Sequence, residues 1–267
     1  MFLVDTFRSL KQTSLWVFTT WFKFFIRYRR TSIGPLWILA GPVMFILFLG
    51  VLYTGLSGLT TSEFIPHLAI GFIAWTLLGG FLLRSHNVFT RNKAYLMQGG
   101  VLPTSIILID ITELFIHFLH QTFIIILVCW YFKTISGFYF LTSIAGLFFI
   151  VLNGYWMTFV FGLIGARFKD FGELIDSITT IFFLATPILW MPIKNSSFLG
   201  VDERGGFLEV YMNLNPFYHF LEIFRAPLLN VPIKPFTWYV VFGITVFGYL
   251  LAAILYRKYR HMLAVWV

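Results

Sequence analysis

The chain has 267 residues, of which 59% are hydrophobic and only 11% are charged. A soluble domain carries about 25% charged residues, so this composition cannot cover a soluble surface. Several uncharged runs reach the roughly 20 residues that a helix needs to cross a bilayer. Because these runs do not alternate between apolar and polar residues, they exclude a transmembrane barrel and predict an all-α polytopic membrane protein.

The net charge of +8 is distributed as membrane topology requires. The basic residues lie beside apolar runs, where they act as topology signals and not as a nucleic-acid surface. With the N-terminus inside, fourteen of the 19 Lys and Arg residues face the cytoplasm. These are Arg8, Lys11, Lys23, Arg27, Arg29, Arg30, Arg84, Arg91, Lys93, Arg167, Lys169, Arg257, Lys258 and Arg260. The sequence therefore predicts a multi-pass protein with both termini cytoplasmic and no nucleic-acid partner.

Six transmembrane helices are predicted, in an order that divides the chain into three parts. The spans cover residues 33–53, 64–83, 104–131, 138–166, 175–190 and 236–256. Residues 1–32 precede the six-span domain at 33–256, and residues 257–267 form a cytoplasmic tail. Within the domain, residues 84–103 form a cytoplasmic loop and residues 191–235 form a long outer segment.

Residues 2–30 are predicted to form one amphipathic helix. At 100° per residue, one side carries Arg8, Lys11, Gln12, Thr19, Lys23, Arg27 and Arg30. The other side carries Phe7, Leu10, Val17, Phe18, Trp21, Phe24, Phe25 and Tyr28. A basic amphipathic helix suits the interface of a membrane with anionic lipid, and a plain membrane anchor is the alternative.

Two prolines lie in or near the first span, after a cluster of arginines. Proline within a helix bends it, so Pro35 and Pro42 predict a kinked first span that opens a lateral entrance. The arginines are Arg27, Arg29 and Arg30. At headgroup level they set topology and bind anionic lipid.

The loop at 84–103 is basic but carries large apolar residues, which an ordinary solvated loop does not need. Such a loop indicates a protein partner. The candidate contact residues are Phe89, Arg91, Lys93, Tyr95 and Leu96. In the outer segment, two amphipathic pieces at 207–213 and 216–229 are too short to span and predict re-entrant or interfacial helices. Asn215 provides an N-cap, followed by Pro216 at the first helical position.

The third span carries a polar face. Asp110, Glu113, His117, His120 and Gln121 fall within an arc of about 100° at helical spacing. They line a translocation path, or form interhelix hydrogen bonds or a partner contact near the inner interface, or serve as a proton relay. Because Asp110 and Glu113 lie early in the span, the second interpretation is favoured.

The sequence lacks a phosphate-binding loop, HExxH, CxxC and GxSxG. It therefore predicts no catalytic residue, no metal ligand and no cofactor in this chain. If transport is driven by ATP, hydrolysis takes place in another polypeptide.

Several short motifs follow one another along the chain in a specific order. They are Arg27-Tyr28-Arg29-Arg30, Gly34-Pro35-Leu36-Trp37, Pro42, Arg167-Phe168-Lys169-Asp170, Asn215-Pro216 and Arg225. This set resembles the membrane subunit of type-2 ABC exporters, above all the branch that exports lipid-linked polysaccharides such as O-antigen, capsule and teichoic acid. The family often has an Arg-Tyr-Arg-Asp-like run where this chain has Arg-Phe-Lys-Asp.

The resemblance implies a homodimer in a bacterial inner membrane, docked on two copies of a separate ABC ATPase that binds ATP and Mg²⁺. It implies a coupling helix within 83–100 and an outer gate containing Asn215, Pro216 and Arg225. It also implies that Arg27, Arg29 and Arg30, at the foot of the bent first span, contact the pyrophosphate of a lipid-linked substrate through charge-assisted hydrogen bonds; the alternative is that they only set topology and bind anionic lipid. The alternatives are a type-2 ABC exporter of a drug or other small molecule, a proton-coupled carrier that uses Asp110 and Glu113 with the histidines, and a membrane scaffold that transports nothing.

Overall fold

The computed structural model describes residues 1–57, 59–97, 100–191 and 205–267, and this part of the chain is helical, without a strand. The helices are α1 (Phe2–Lys11), α2 (Thr13–Tyr28), α3 (Trp37–Ser57), α4 (Thr61–Ser85), α5 (Val88–Arg91), α6 (Lys93–Met97), α7 (Pro103–Phe132), α8 (Thr142–Arg167), α9 (Phe171–Ala185), α10 (Gly205–Leu214), α11 (Pro216–Leu228), α12 (Pro235–Tyr259) and α13 (Leu263–Trp266).

Five of these helices are long and apolar enough to cross a membrane: α3 with the turn before it, α4, α7, α8 and α12. The prediction of a helical, multi-pass membrane protein is confirmed in this form. The segment predicted as the fifth span, 175–190, instead overlaps the later part of α9 and the turn after it. Helix α9 has 15 residues and is not among the five. It ends at Thr186, which is extended (φ −83°, ψ 137°) because the residue before a proline disfavours the helical conformation.

The N-terminal segment forms two helices, and not the single helix predicted for 2–30. The break falls at Gln12 (φ −84°, ψ 52°). Phe2 of α1 is buried among the rings of α8 and α12, whereas Thr20 and Phe24 of α2 lie against α7. The break at Gln12 lets α1 pack against α8 and α12 while α2 packs against α7. Most of the predicted apolar face is exposed, as a surface that meets lipid would be, but Phe24 is buried.

The prediction that Pro35 kinks the first span is wrong. Pro35 lies in a 3₁₀ turn, Gly34–Leu36, that precedes α3, and only Pro42 is inside the helix. Gly34 adopts φ +58°, a conformation that glycine accepts readily, and a proline then suits the first turn because it lacks an N–H. Pro35 therefore starts the span and does not bend it.

Helix α4 lies at the centre of the bundle and contacts α3, α7, α8, α9 and α11. Because α4 and α7 run in opposite directions, the end of α4 lies beside the start of α7. The ends of α2, α4, α8 and α12 and the short helices α5, α6 and α13 gather at one end of the bundle, called here the basic end. The second predicted outer piece corresponds to α11, which is mostly buried against α4, α8 and α12. Residues 192–204 of the predicted outer segment lie outside the described residues, and Gly205 and Gly206 begin α10.

Candidate functional site

An ion-pair cluster joins four helices at the basic end. Its members, called here the arginine–carboxylate cluster, are Arg27 of α2, Arg84 of α4, Arg91 of α5, and Asp110 and Glu113 of α7, and the ammonium of Lys23 of α2 lies nearby without an ion pair of its own to a described residue. Asp110 and Glu113 are only 2% and 5% exposed. A buried carboxylate is tolerated only when it is paired, so these two acids determine where the surrounding cations lie.

Arg84 is the centre of the cluster. Its Nη2 lies 2.9 Å from Asp110 Oδ1 and 2.9 Å from Glu113 Oε2. Arg91 also contacts Asp110 Oδ1, and Arg27 Nη2 donates to Glu113 Oε1 at 2.8 Å. One guanidinium thus bridges two acids, and each acid has a second arginine from a different helix.

The local sequence explains this geometry. Pro103 occupies the first turn of α7, where its missing N–H costs nothing. Asp110 and Glu113 follow three residues apart and so project from the same side of the helix. Arg84 lies in the last turn of α4, the antiparallel neighbour of α7, and therefore reaches both carboxylates at the same depth.

The cluster carries more positive than negative charge. Four cations surround two carboxylates, and the sequence continues from Arg27 to Arg29 and Arg30, which are exposed and have no ion pair with any described residue. Two buried atoms of the cluster, Arg84 Nε and Asp110 Oδ2, have no hydrogen-bond partner within the described chain. A cationic excess with unpaired polar atoms suits an anionic group or ordered water.

Lys23 is half-buried at the edge of the cluster. Burial lowers the pKa of its ammonium below the usual range, while the nearby carboxylates of Glu113 and Asp110 oppose that shift. Its Nζ donates to Asn92 Oδ1 at 2.9 Å. This contact ties α2 to the junction between α5 and α6.

The other residues of the polar face of α7 form hydrogen bonds within α7 and to the neighbouring helices α2 and α4. His117 Nε2 lies 3.2 Å from Arg27 Nη1, and His120 Nδ1 donates to the Ile116 carbonyl oxygen of its own helix at 2.8 Å. Gln121 Oε1 accepts from the Thr76 hydroxyl of α4 at 2.5 Å. These contacts match the interpretation of interhelix hydrogen bonds near one end of the span.

Sequence reasoning did not identify Lys23 or Arg84 as members of this site. Both were predicted only as cytoplasmic cations that set topology, and Lys23 also as part of the polar side of the N-terminal helix. The signal that could have found Arg84 is its position: it ends one span, while Asp110 and Glu113 begin the next, so consecutive antiparallel helices bring them to the same depth.

The predicted partner-contact residues of the loop fall in different environments. Phe89 is 0% exposed and packs edge-on to Phe159 of α8 with ring centres 6.3 Å apart, so the prediction of a surface contact through Phe89 is wrong. Its apolar side chain fills the chain's own core. Arg91 belongs to the arginine–carboxylate cluster, which leaves α6 as the exposed part of the loop.

Helix α6 is held on two sides. Tyr95 lies beneath the ammonium of Lys23, 5.4 Å from the ring centre, and Leu96 is half-buried. Lys93 is exposed and donates to the backbone oxygen of Val267 at 2.6 Å, beside the tail helix α13. Met97 is exposed. Lys93, Ala94 and Met97 therefore form a small outward surface of mixed basic and apolar character.

At the opposite end, Arg225 anchors α11. It is 3% exposed, donates to the Pro187 carbonyl oxygen at 2.6 Å and pairs with Glu222 at 2.8 Å. Asn215 caps the helix by accepting from the Phe217 backbone N–H at 3.0 Å. Its amide also donates to Thr186 Oγ1 at 3.0 Å. Asn215 and Arg225, two of the predicted gate residues, thus fix α11 on the end of α9, and Pro216 supplies its first helical residue.

Helix α9 carries an exposed polar stripe, defined by Glu173, Asp176, Ser177 and Thr180. The two hydroxyls donate to backbone oxygens of their own helix. Neither carboxylate forms an ion pair with a described residue. Because ionisable side chains are costly against lipid, this stripe requires water or protein beside it.

The described helices define a multi-pass helical membrane protein. No protein-family model matches its sequence, and no curated protein matches it. Among the residues that the structure describes, no group of three or more His, Cys, Asp or Glu side chains could hold a metal ion.

Proposed function

We propose that this chain is the transmembrane subunit of an ATP-driven type-2 ABC exporter that moves a lipid-linked polysaccharide across a bacterial inner membrane. In this proposal both termini are cytoplasmic, and two copies of the chain dock on two copies of a separate ATPase that binds ATP and Mg²⁺. The observation that carries the proposal is the cationic excess of the arginine–carboxylate cluster, which continues into Arg29 and Arg30. A pyrophosphate-linked lipid presents the anionic group that such a surface favours.

The proposed topology has six crossings, with α9 and the turn after it as the fifth. Gly172 lies against the imidazole of His86 at one end of α4, and the Pro187 carbonyl oxygen lies 3.1 Å from His67 Nε2 near the other. The distance from His86 to His67 along a helix is about 28 Å at 1.5 Å per residue, close to the thickness of a hydrocarbon core. With α9 added to the five long helices, the proposed topology has an even number of crossings, as two cytoplasmic termini require.

The polar stripe of α9 supports the homodimer. In a single copy the stripe is exposed, although most of the surface around it is apolar. A second copy facing α9 would enclose the stripe and create a polar path between the two chains, as a polysaccharide requires. A lone chain would leave two carboxylates at the level of lipid.

Helix α6 is the proposed contact with the ATPase. Its outward residues Lys93, Ala94 and Met97 lie at the basic end, which is cytoplasmic in the proposed topology. The exposed apolar face of α1 and α2 lies at the same end and is proposed to rest in the membrane interface, with Arg29 and Arg30 at headgroup level.

The contacts of the acids weigh against a proton-coupled carrier. Asp110 and Glu113 are each engaged by two arginines, and His120 bonds to its own backbone. A proton relay needs acids that are free to exchange protons with a neighbour, whereas these two carboxylates are occupied by ion pairs between helices.

The proposal is tested in cells by deleting the gene and measuring surface polysaccharide together with intracellular lipid-linked precursor. We expect the surface polymer to be lost, the precursor to accumulate inside, and both effects to be reversed by the wild-type gene. Normal surface polymer with no accumulated precursor would overturn the proposal.

A further inference from the structure

Lys23 connects the N-terminal helix pair to the loop that carries α6. Its Nζ donates to Asn92 Oδ1 at 2.9 Å, and its ammonium lies 5.4 Å from the centre of the Tyr95 ring. Asn92, between α5 and α6, is 2% exposed and its amide donates to the Val88 carbonyl oxygen at 2.8 Å. One side chain of α2 therefore contacts both the junction and α6 itself.

The junction has few other ties. Arg91, the residue before Asn92, contacts Asp110 of α7 and donates to Asn87 at 2.8 Å. Beyond the junction, α6 is held by the exposed contact of Lys93 with the Val267 backbone oxygen and by the half-buried side chains of Tyr95 and Leu96, which pack against the core. A helix of five residues cannot sustain itself, since isolated helices this short are unstable in water. The order of α6 thus depends on its neighbours.

The other face of α2 is built to meet lipid. Thr20 donates to the Ile109 carbonyl oxygen of α7 at 3.2 Å, and Arg27 pairs with Glu113, which fixes one face of α2 on the bundle. The opposite face exposes Phe18, Trp21, Phe22, Phe25 and Ile26. Arg29 and Arg30 follow it with no ion pair to the described chain. Aromatic groups beside free cations bind a surface of anionic lipid.

We infer that Lys23 is a positioning residue through which α2, when it rests on anionic lipid, holds the α5–α6 junction and so sets the order of α6. The role of α6 as an ATPase contact rests on the proposed function, whereas the link from lipid to α6 does not. Anionic lipid fixes α2 in the position from which Lys23 reaches Asn92, and loss of that lipid leaves the junction to its remaining ties.

The test is hydrogen–deuterium exchange of residues 88–97 in nanodiscs of neutral lipid, compared with nanodiscs that contain phosphatidylglycerol. For the wild type we expect exchange in this segment to slow severalfold with the anionic lipid. Lys23→Met removes the ammonium and keeps the stem, and should leave exchange about tenfold faster with anionic lipid present, as for loss of one hydrogen bond to a charged group. Lys11→Met is the matched control, because the ammonium of Lys11 lies over the Phe7 ring of its own helix and makes no ion pair with any described residue.

Two further variants separate positioning from folding. Lys23→Arg keeps a donor and should restore the lipid response. Arg29→Gln with Arg30→Gln leaves the Lys23 contact intact but should abolish the response to phosphatidylglycerol. An intact lipid response in Lys23→Met, or faster exchange spread equally over the whole chain, would overturn the inference. Neither result depends on transport, so failure here is distinguishable from failure of the proposed function.

Discussion

The guanidinium of Arg27 donates a 2.8 Å hydrogen bond to the carboxylate of Glu113, a residue 86 positions further along the chain. This contact fastens the lipid-facing helix α2 to the start of α7. It also joins a residue predicted to meet substrate to one predicted to lie on a polar intramembrane face. The two predicted groups therefore belong to one cluster.

Neutralising Glu113 should destabilise the protein. Glu113→Gln leaves Arg84 and Arg27 without one of their acids, and breaking a buried pair costs about 3–5 kcal/mol, less here because Arg27 is half-exposed. We expect a clear fall in the thermal unfolding temperature of the detergent-solubilised protein. The matched control is Glu173→Gln, on the exposed stripe of α9, which should leave that temperature unchanged. Equal behaviour of the two variants would contradict the assigned role of the cluster.

Replacing Arg29 and Arg30 with lysine should separate headgroup recognition from topology. Lysine keeps the charge and the topology signal but lacks the planar, two-pronged guanidinium. If these residues contact the pyrophosphate, loss of one or two charge-assisted bonds should reduce export at least about tenfold. Export is measured as surface polysaccharide per unit of inserted protein. Arg8→Lys on α1 is the control, and normal export in the double variant would leave Arg29 and Arg30 as topology residues.

The polar stripe of α9 should be accessible from water. In a background with Cys129 replaced by serine, a cysteine at Asp176 should react with a membrane-impermeant thiol reagent, or should form a disulfide between two copies. A cysteine at Ile181 is the control, because Ile181 is exposed but lies off the stripe. Reaction of Ile181 alone would contradict the proposed polar path.

The anchoring of α11 should depend on Asn215 and Arg225. Asn215→Ala removes a helix cap and should cost about 1 kcal/mol of stability. Arg225→Met removes one of the donors to the Pro187 carbonyl oxygen and the cation that pairs with Glu222, and should cost more because a buried ion pair is lost. Faster hydrogen exchange in Pro216–Leu228 is the expected signature. Val210→Ala, a substitution of an exposed side chain in α10, should leave it unchanged.

Composition and spacing predicted five of the six proposed spans to within a few residues, because hydrocarbon thickness sets their length. They also grouped Asp110 and Glu113 on one side of α7, since helical periodicity does not depend on tertiary contacts. The same reasoning could not determine which apolar residues face protein. Phe89 is in the core and Phe18 is on the surface, yet both are phenylalanines in basic segments outside the predicted spans. In a membrane protein the lipid-facing surface is as apolar as the interior, so hydrophobicity alone does not separate them.

The break at Gln12 and the position of Pro35 were missed for a related reason. An amphipathic pattern continues smoothly from α1 to α2, but Phe2 is drawn into the ring cluster of α8 and α12 while α2 follows α7. Only the position of the neighbouring helices specifies that change of direction. A proline such as Pro35 is compatible with a helix kink and with a helix start. The positive φ of Gly34 places Pro35 at the helix start.

The most direct test of the central claim is transport in vesicles that contain this chain, with and without the proposed phosphate-loop ATPase partner. The substrate is a fluorescent oligosaccharide linked through pyrophosphate to a polyprenol, and an ionophore collapses the proton gradient. We predict translocation that requires both the ATPase and ATP hydrolysis and that continues when the gradient is collapsed. Translocation driven by a proton gradient in vesicles that lack the ATPase would contradict the account.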